Sequence, residues 1–432
     1  MPKLSAQQSS LGEVTAAIHN IENARNLLTW KVAGTYPWVL MRTTVLRLAN
    51  ERLGNYEVRK ESGHEFDPNV PKRLGENVII QFLRLDANGI DKFSKPLSDA
   101  MGDKAVVLNF GQVKTFAKTF YDRYKYVAAS AVLPFISTKA KNLWREIVED
   151  VERELSVDLT SIKRFPRGKL IRFKAEGLGW YLLFKRSKTK RVFMVNAWHK
   201  PLIAGAQAAG AWFVEPQHGV ISHHHGLLSF PNSQHIAYYP NELYLWGKSW
   251  GESVGIPADV NQTVIGHPRA SDFAPSSSQV KNSVMVLSGA FHSTRLTNWT
   301  IAAAKANPKL SFSIKLHPQE YMRDFVDYDL PKNVKIVDST VSTIQMMRES
   351  EYVVGVFSLG LVEAAQIGAK TIALKYPGWE HLESLIEKKA LMAVDPEVVL
   401  DFSTLPKSSA KLELFKQALS DDELQKVMIG NR

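Results

Sequence analysis

Phe213-Val214-Glu215-Pro216-Gln217-His218-Gly219 runs an apolar pair straight into a carboxylate, an amide, an imidazole and a glycine, and Ser222-His223-His224-His225 follows. An apolar run that turns polar at its end is the pattern of a buried strand reaching the rim of a parallel sheet. Open α/β sheets bind their ligands at the carboxyl ends of such strands. The pattern recurs at Ser311-Phe312-Ser313-Ile314-Lys315-Leu316-His317-Pro318 and at Tyr352-Val353-Val354-Gly355-Val356-Phe357-Ser358-Leu359-Gly360. Strand ends of this kind in both halves of the chain predict a cleft between two domains.

Around the first stretch, 192–195 reads as a strand and 201–209 as a helix with Pro201 in its first turn. The next strands are 211–214, 242–247 and 263–266, and this alternation implies a parallel sheet. Pro275 and the serine run 276–278 mark 270–283 as a linker. A second alternating set follows, with strands at 284–287, 311–316, 334–337, 352–356 and 371–374 and helices at 297–306, 342–349 and 359–367. Its first turn, Ser288-Gly289-Ala290-Phe291, is not the glycine fingerprint of dinucleotide binding. Toward the N-terminus, helices are expected from Ser10 and from Pro37, a loop over 55–75, strands at 77–82 and 105–110, and an amphipathic helix over 139–155. The division expected is an N-terminal domain over 1–269, a linker, a second domain over 284–405 and a helical tail over 406–432.

The chain has 432 residues, ordinary composition, no cysteine and a net charge of +11. Disulfides and thiolate metal sites are excluded. The positive balance suits an anionic partner such as a nucleotide-sugar or a lipid phosphate. No long Lys/Arg block and no zinc-finger or ribonucleoprotein signature points to nucleic acid. Residues 1–14 are polar, without a secretory core. The apolar stretches 126–136, 201–214 and 352–369 read as buried core rather than membrane spans. The expectation is a cytoplasmic protein, soluble or resting on the inner face of the membrane. The basic cluster Arg186, Lys188, Lys190 and Arg191 reads as a solvated turn, or as an attraction to anionic lipid.

Four pieces together resemble the GT-B glycosyltransferases, and among them bacterial enzymes that build capsular or lipopolysaccharide glycans. They are Glu215 to Gly219; Leu243-Tyr244-Leu245-Trp246-Gly247 with Val264-Ile265-Gly266-His267-Pro268; Lys315 to Pro318; and Phe357 to Gly368 through Glu363. The resemblance covers 192–391. It implies an α/β fold of two Rossmann-like domains facing across a cleft, and transfer of a sugar from a nucleotide-sugar without metal or further cofactor. The His317-Pro318 pair is similar to the HP motif of bacterial sialyltransferases and related CMP-sugar enzymes, where the histidine contacts donor phosphate.

The residues support these roles in chemical terms, and each has a plainer reading beside it. Ser358 caps a helix whose N-terminus suits a phosphate, Leu359 and Gly360 let a ligand approach, and Glu363 one turn in offers a carboxylate to a ribose diol. The plainer reading is an N-cap with a solvated glutamate. Ser288, Gly289, Lys315, His317 and Pro318 complete the donor set, with His317 stabilising the departing phosphate; otherwise His317 is a strand-end histidine bonded to backbone. His218 is the candidate base toward an acceptor hydroxyl, with Glu215 orienting it or serving instead. Gln217, His223, Trp38 and Arg42 are candidate acceptor contacts; Trp38, Arg42 and Val45 share one helical face, whose plainer reading is buried core with a solvated arginine. His223-His224-His225 does not have the spacing of a metal site. Asp327-Tyr328-Asp329 has a metal-motif outline but lies off the strand ends. The alternatives left open are a CDP-polyol phosphotransferase of the same architecture, a sugar-nucleotide epimerase, and a nucleotide-sugar-binding protein without turnover. The partners expected are a nucleotide-sugar donor, a glycan or lipid-linked acceptor and an anionic membrane face.

Overall fold

The computed structural model describes residues 10–55, 71, 73–81, 91, 93–196, 199–230, 233, 235–252, 254–289, 292–318, 320–405 and 414–430. Most of the expected loop over 55–75, Phe82, Ala290, Phe291 and the tail from 406 to 413 lie outside them. The chain divides into two compact units. One holds 14–49, 63–268 and 414–432; the other holds 269–413 with 1–13 and 50–62.

The N-terminal unit begins with helices α1 (Leu11–Arg25) and α2 (Pro37–Arg52), and continues with β1 (Asn77–Ile80), α3 (Lys95–Met101), β2 (Ala105–Leu108), α4 (Phe110–Val132), α5 (Thr138–Leu155), α6 (Arg167–Ser187), β3 (Arg191–Met194), α7 (Lys200–Ala208), β4 (Trp212–Pro216), β5 (Glu242–Leu245) and β6 (Asn261–Val264). Its sheet runs β2-β1-β3-β4-β5-β6, and every pairing is parallel. A parallel sheet needs cover on both faces, and the side-chain alternation supplies two cores. Val78, Ile80, Val192, Met194 and Phe213 pack with α4, α6 and α7 residues such as Phe116, Trp180 and Leu202. Ile79, Phe193, Val214 and Tyr244 pack on the opposite face against Leu97 and Met101 of α3.

The C-terminal unit contains β7 (Val280–Leu287), α8 (Ser293–Ala306), β8 (Ser311–Lys315), β9 (Val334–Val337), α9 (Thr343–Glu349), β10 (Ser350–Gly355), α10 (Leu359–Ile367), β11 (Lys370–Leu374), α11 (Glu383–Glu387) and β12 (Met392–Val394). Its parallel order is β12-β11-β10-β7-β8-β9. The order reverses between β7 and β10, which makes that pair the topological switch point.

Three elements differ from the sequence reading. Residues 280–283 belong to strand β7, and Ser276 donates to the Ile367 carbonyl (2.9 Å), so the expected linker is largely part of the C-terminal unit. The tail is only partly helical. Phe415 packs on Trp246 and His267, the Gln417 stretch bridges to His267, and α12 (Asp421–Ile429) adds Leu424 and Met428 to the core beneath β1 and β3. Finally, 126–136 is core only in part: Ala128 and Val132 are buried, whereas Tyr126, Val127, Leu133 and Phe135 at the end of α4 are 79, 58, 47 and 64% exposed.

The returning tail sets a tight constraint at Gly266, whose φ is +81° and where an added Cβ would stand 2.3 Å from the Gln417 carbonyl oxygen. Gly266→Ala meets both the left-handed penalty and this clash, so it is expected to destabilise the N-terminal unit by about 2 kcal/mol or more. A lowered urea midpoint with tail proteolysis between Leu405 and Phe415 checks it; an unchanged midpoint refutes the docked tail.

Candidate active site

The C-terminal ends of β10, β7 and β8 lie side by side, and each delivers one of the sequence-predicted donor residues. After β10, Ser358 is exposed and its Oγ accepts from the Gly360 N–H (3.1 Å), capping α10. Gly360 is tight because an added Cβ would lie 2.9 Å from both Leu287 and Met347. Glu363 is half-buried one turn further on. After β7, no atom of the described residues lies within 4 Å of a Cβ placed at Gly289. After β8, His317 is half-buried and Pro318 exposed.

Two members of the predicted set are internal instead. Ser288 is buried and donates to Glu320 Oε1 (2.8 Å), while the other oxygen of Glu320 accepts from the His317 N–H (2.7 Å). Lys315 is 2% exposed and donates to the carbonyls of Asp338 (2.8 Å) and Leu316 (3.3 Å), and burial lowers its pKa. Both position the rim rather than reach a ligand. Glu320 was not anticipated, although His317-Pro318-Gln319-Glu320 has the capping-box spacing of a side chain returning to a backbone N–H three residues earlier. His292 was also missed. It is buried between Phe357 (5.8 Å) and Tyr376 (6.4 Å) at the same edge, and burial lowers its pKa to about 4, keeping it neutral.

In the N-terminal unit, Glu215 and His218 close the end of β4. Glu215 is buried, and its Oε1 lies 3.8 Å from His218 Nδ1. That is too long for a hydrogen bond but close enough for Coulombic stabilisation once the ring is protonated. Phe93 meets His218 edge-on at 6.5 Å. A gap of about 10 Å³ between His218, Glu215 and Leu243 is no more than water-sized. His223 is exposed in the following loop.

The other expected acceptor contacts are corrected. Gln217 is 4% exposed and its amide is engaged at both ends, accepting from the Trp246 N–H (2.9 Å) and donating to the Gly219 carbonyl (3.0 Å). It fastens the end of β4 to that of β5. Trp38 is fully buried and its indole donates to Glu22 (2.6 Å); Arg42 is 2% exposed and shares that carboxylate (2.5 Å). Arg42 also donates to the Gly226 carbonyl and stacks over Phe230 at 4.3 Å. Trp38 joins α2 to α1, and Arg42 anchors the 218–230 loop to both helices. Among the described residues no three His, Asp or Glu side chains gather as a metal-ligand group.

No family model and no curated protein sequence matches the chain. Among solved structures it is similar to the UDP-GlcNAc 2-epimerase of Methanocaldococcus jannaschii, in complex with UDP-GlcNAc and UDP, at 8% identity over 82% of this chain and 99% of that one, with a TM-score of 0.44. It is similar also to Anabaena Alr3699/HepE in complex with UDP-glucose (11% identity, 75% and 86% coverage, TM-score 0.42). A third likeness is to MurG of Acinetobacter baumannii (12% identity, 63% and 72% coverage, TM-score 0.38).

The polar anchor under the 218–230 loop carries a pH dependence. Burial, with Arg42 nearby, lowers His19 and His225 from 6.5 to about 4. The unfolded chain therefore binds more protons between about pH 6.5 and pH 4, and this share of stability is lost as pH falls through that window. Denaturant midpoints should drop across it, and His19→Gln should flatten the slope. An identical slope in the variant would contradict the buried, neutral assignment.

Proposed function

We propose that this protein is a glycosyltransferase that moves a sugar from a nucleotide-sugar to a hydroxyl acceptor. One observation carries the reading. Three adjacent parallel strands present Ser358 with Gly360, the backbone of Gly289, and His317 along one edge, at the switch point of the C-terminal sheet. The N-termini of α8 and α10 rise from that edge, and helix N-termini favour phosphate through their N–H groups and dipole. In this reading His317 donates to the phosphate oxygen that gathers charge as the glycosidic bond to the nucleotide breaks. Glu363 is available to accept from ribose hydroxyls.

The N-terminal unit supplies the acceptor side. In this reading the imidazole of His218 offers a ring lone pair to an acceptor hydroxyl, with the Glu215 carboxylate 3.8 Å from Nδ1 to face the imidazolium that forms. The oxygen attacks the anomeric carbon, the carbon–phosphate-oxygen bond breaks, and the proton stays on His218 beside the Glu215 carboxylate. This single displacement inverts the anomeric centre. A CMP-sugar is the donor the His317-Pro318 pair favours, with the CDP-polyol phosphotransfer reaction as the sister chemistry. The acceptor proposed is a surface glycan or its lipid-linked precursor.

A membrane-facing surface fits that acceptor. No helix among the described residues is long and apolar enough to cross a membrane. However, Tyr126, Val127, Leu133 and Phe135 stand exposed beside the exposed cations Arg123, Lys139 and Lys141. Apolar side chains that insert at the headgroup boundary and cations that meet anionic lipid reinforce one another, each cation contributing about 1 kcal/mol. The predicted occupant is an anionic bilayer surface. Tyr126→Ser with Phe135→Ser should release the protein from phosphatidylglycerol vesicles in flotation, and neutral vesicles should bind less than anionic ones. Equal binding to both lipids, or no effect of the variant, rejects the surface.

The catalytic assignment separates by unit. His218→Ala should lower kcat by ~100-fold or more while calorimetry shows nucleotide-sugar affinity unchanged. Gly289→Leu, which adds a bulky side chain after β7, should do the reverse and weaken donor binding by ~10-fold or more at unchanged Tm. Donor conversion with no acceptor present would instead identify an epimerase.

A further inference from the structure

The N-terminal sheet has its own switch point, between β1 and β3, one strand removed from His218. The ligand rule for open sheets applies there too, and a cavity of about 770 Å³ opens among α2, α4, α6 and the start of α7, where His199 and Lys200 follow β3. It is the size of a small-ligand site. Its wall carries Lys114, Lys118, Lys169, Arg172 and Lys200 against only Asp122 and Glu176. Glu176 is matched within the wall by Arg172 at 2.5 Å, and Asp122 by Lys125, outside the lining, at 3.5 Å. The wall therefore carries a net positive charge, and Tyr121 and Phe173 give the cavity apolar faces.

Lys200 is the buried member of the set. Its Nζ donates to the Tyr238 carbonyl (3.0 Å), and it feels the carboxylate of Glu215 at the neighbouring strand end. Burial lowers it to about 8, so it keeps its charge at pH 7. A buried cation needs compensation; Glu215 and the Tyr238 carbonyl supply part of it, and an anion in the cavity adds to them. His199, in contrast, is driven to about 3 by burial and is neutral.

Resting on the transferase reading, we propose that this cavity binds the phosphate of a phosphorylated acceptor saccharide, holding its hydroxyl toward the end of β4. Such a phosphate comes either from a soluble sugar phosphate or from a polyprenyl-phosphate carrier. The shared recognition is an anionic phosphate set against lysines, with a sugar ring against Tyr121 and Phe173.

The test uses the full chain in calorimetry with inorganic pyrophosphate, glucose 1-phosphate and glucose, and in flotation with phosphatidylcholine vesicles carrying polyprenyl phosphate. Pyrophosphate and glucose 1-phosphate should bind and glucose should not. Lys118→Glu combined with Lys169→Glu, both exposed positions, should weaken phosphate binding by ~10-fold or more while Tm and nucleotide-sugar affinity stay unchanged. Recruitment to the polyprenyl-phosphate vesicles, lost in the same variant, assigns the carrier as the source; binding of glucose 1-phosphate without recruitment assigns the soluble one. Absence of anion binding, or binding that the double variant leaves intact, overturns the proposal. Phosphate binding that persists with no turnover of any nucleotide-sugar would sink the transferase reading while the cavity assignment stood.

Discussion

Parallel pairing is the constraint on which the molecule rests. A parallel sheet sends every carboxyl end to one edge, and the last backbone groups of each strand then need partners that the ladder no longer supplies. Both units meet that need with a buried side chain bridging neighbouring strand ends. Gln217 joins β4 to β5 through the Trp246 N–H. Glu320 joins β7 to β8 by accepting from the Ser288 hydroxyl and the His317 N–H. The rims that carry the proposed chemistry are thus held by groups that do none of it. Leaving a buried donor or acceptor unmet costs about 1–3 kcal/mol, which explains why polar residues are retained there.

The same logic governs the loop after β4. Arg42 and Glu22 are each almost fully buried, and the guanidinium also holds the Gly226 carbonyl and the His19 ring. A buried pair of this kind adds little over an apolar one, but removing a single partner costs about 3–5 kcal/mol. Its effect is positional. It ties the chain behind His218 to two helices formed from the first fifty-two residues, one of which also lines the larger cavity through Leu40.

How much was legible depended on how local the signal was. β4 and α10 were read close to their observed bounds because an apolar-to-polar switch and a Ser N-cap are written within a few residues. α4 and α6 were not read as helices at all. Their packing runs through glycines: a Cβ at Gly179 would stand 2.1 Å from Phe120, and one at Gly205 would stand 2.5 Å from Trp180. In a sequence, glycines lower the expectation of helix; here close approach of α4, α6 and α7 requires them. Trp38 and Arg42 were placed on one helical face correctly, but their partner Glu22 comes from another helix, and no spacing rule exposes that. His199 and Lys200 were passed over because Pro201 explained the helix start by itself.

These hidden residues change how the two strand ends relate. Lys200 follows β3, Glu215 and His218 end β4, and β3 and β4 are hydrogen-bonded neighbours. Glu215 is the carboxylate they share: its charge favours the charged form of Lys200, and its Oε1 stands 3.8 Å from His218 Nδ1. The cavity edge and the proposed base are therefore joined through one carboxylate. Removing the Glu215 carboxylate would therefore act on both strand ends at once: the buried Lys200 ammonium would lose the carboxylate that favours its charge, and the His218 ring would lose its neighbouring anion.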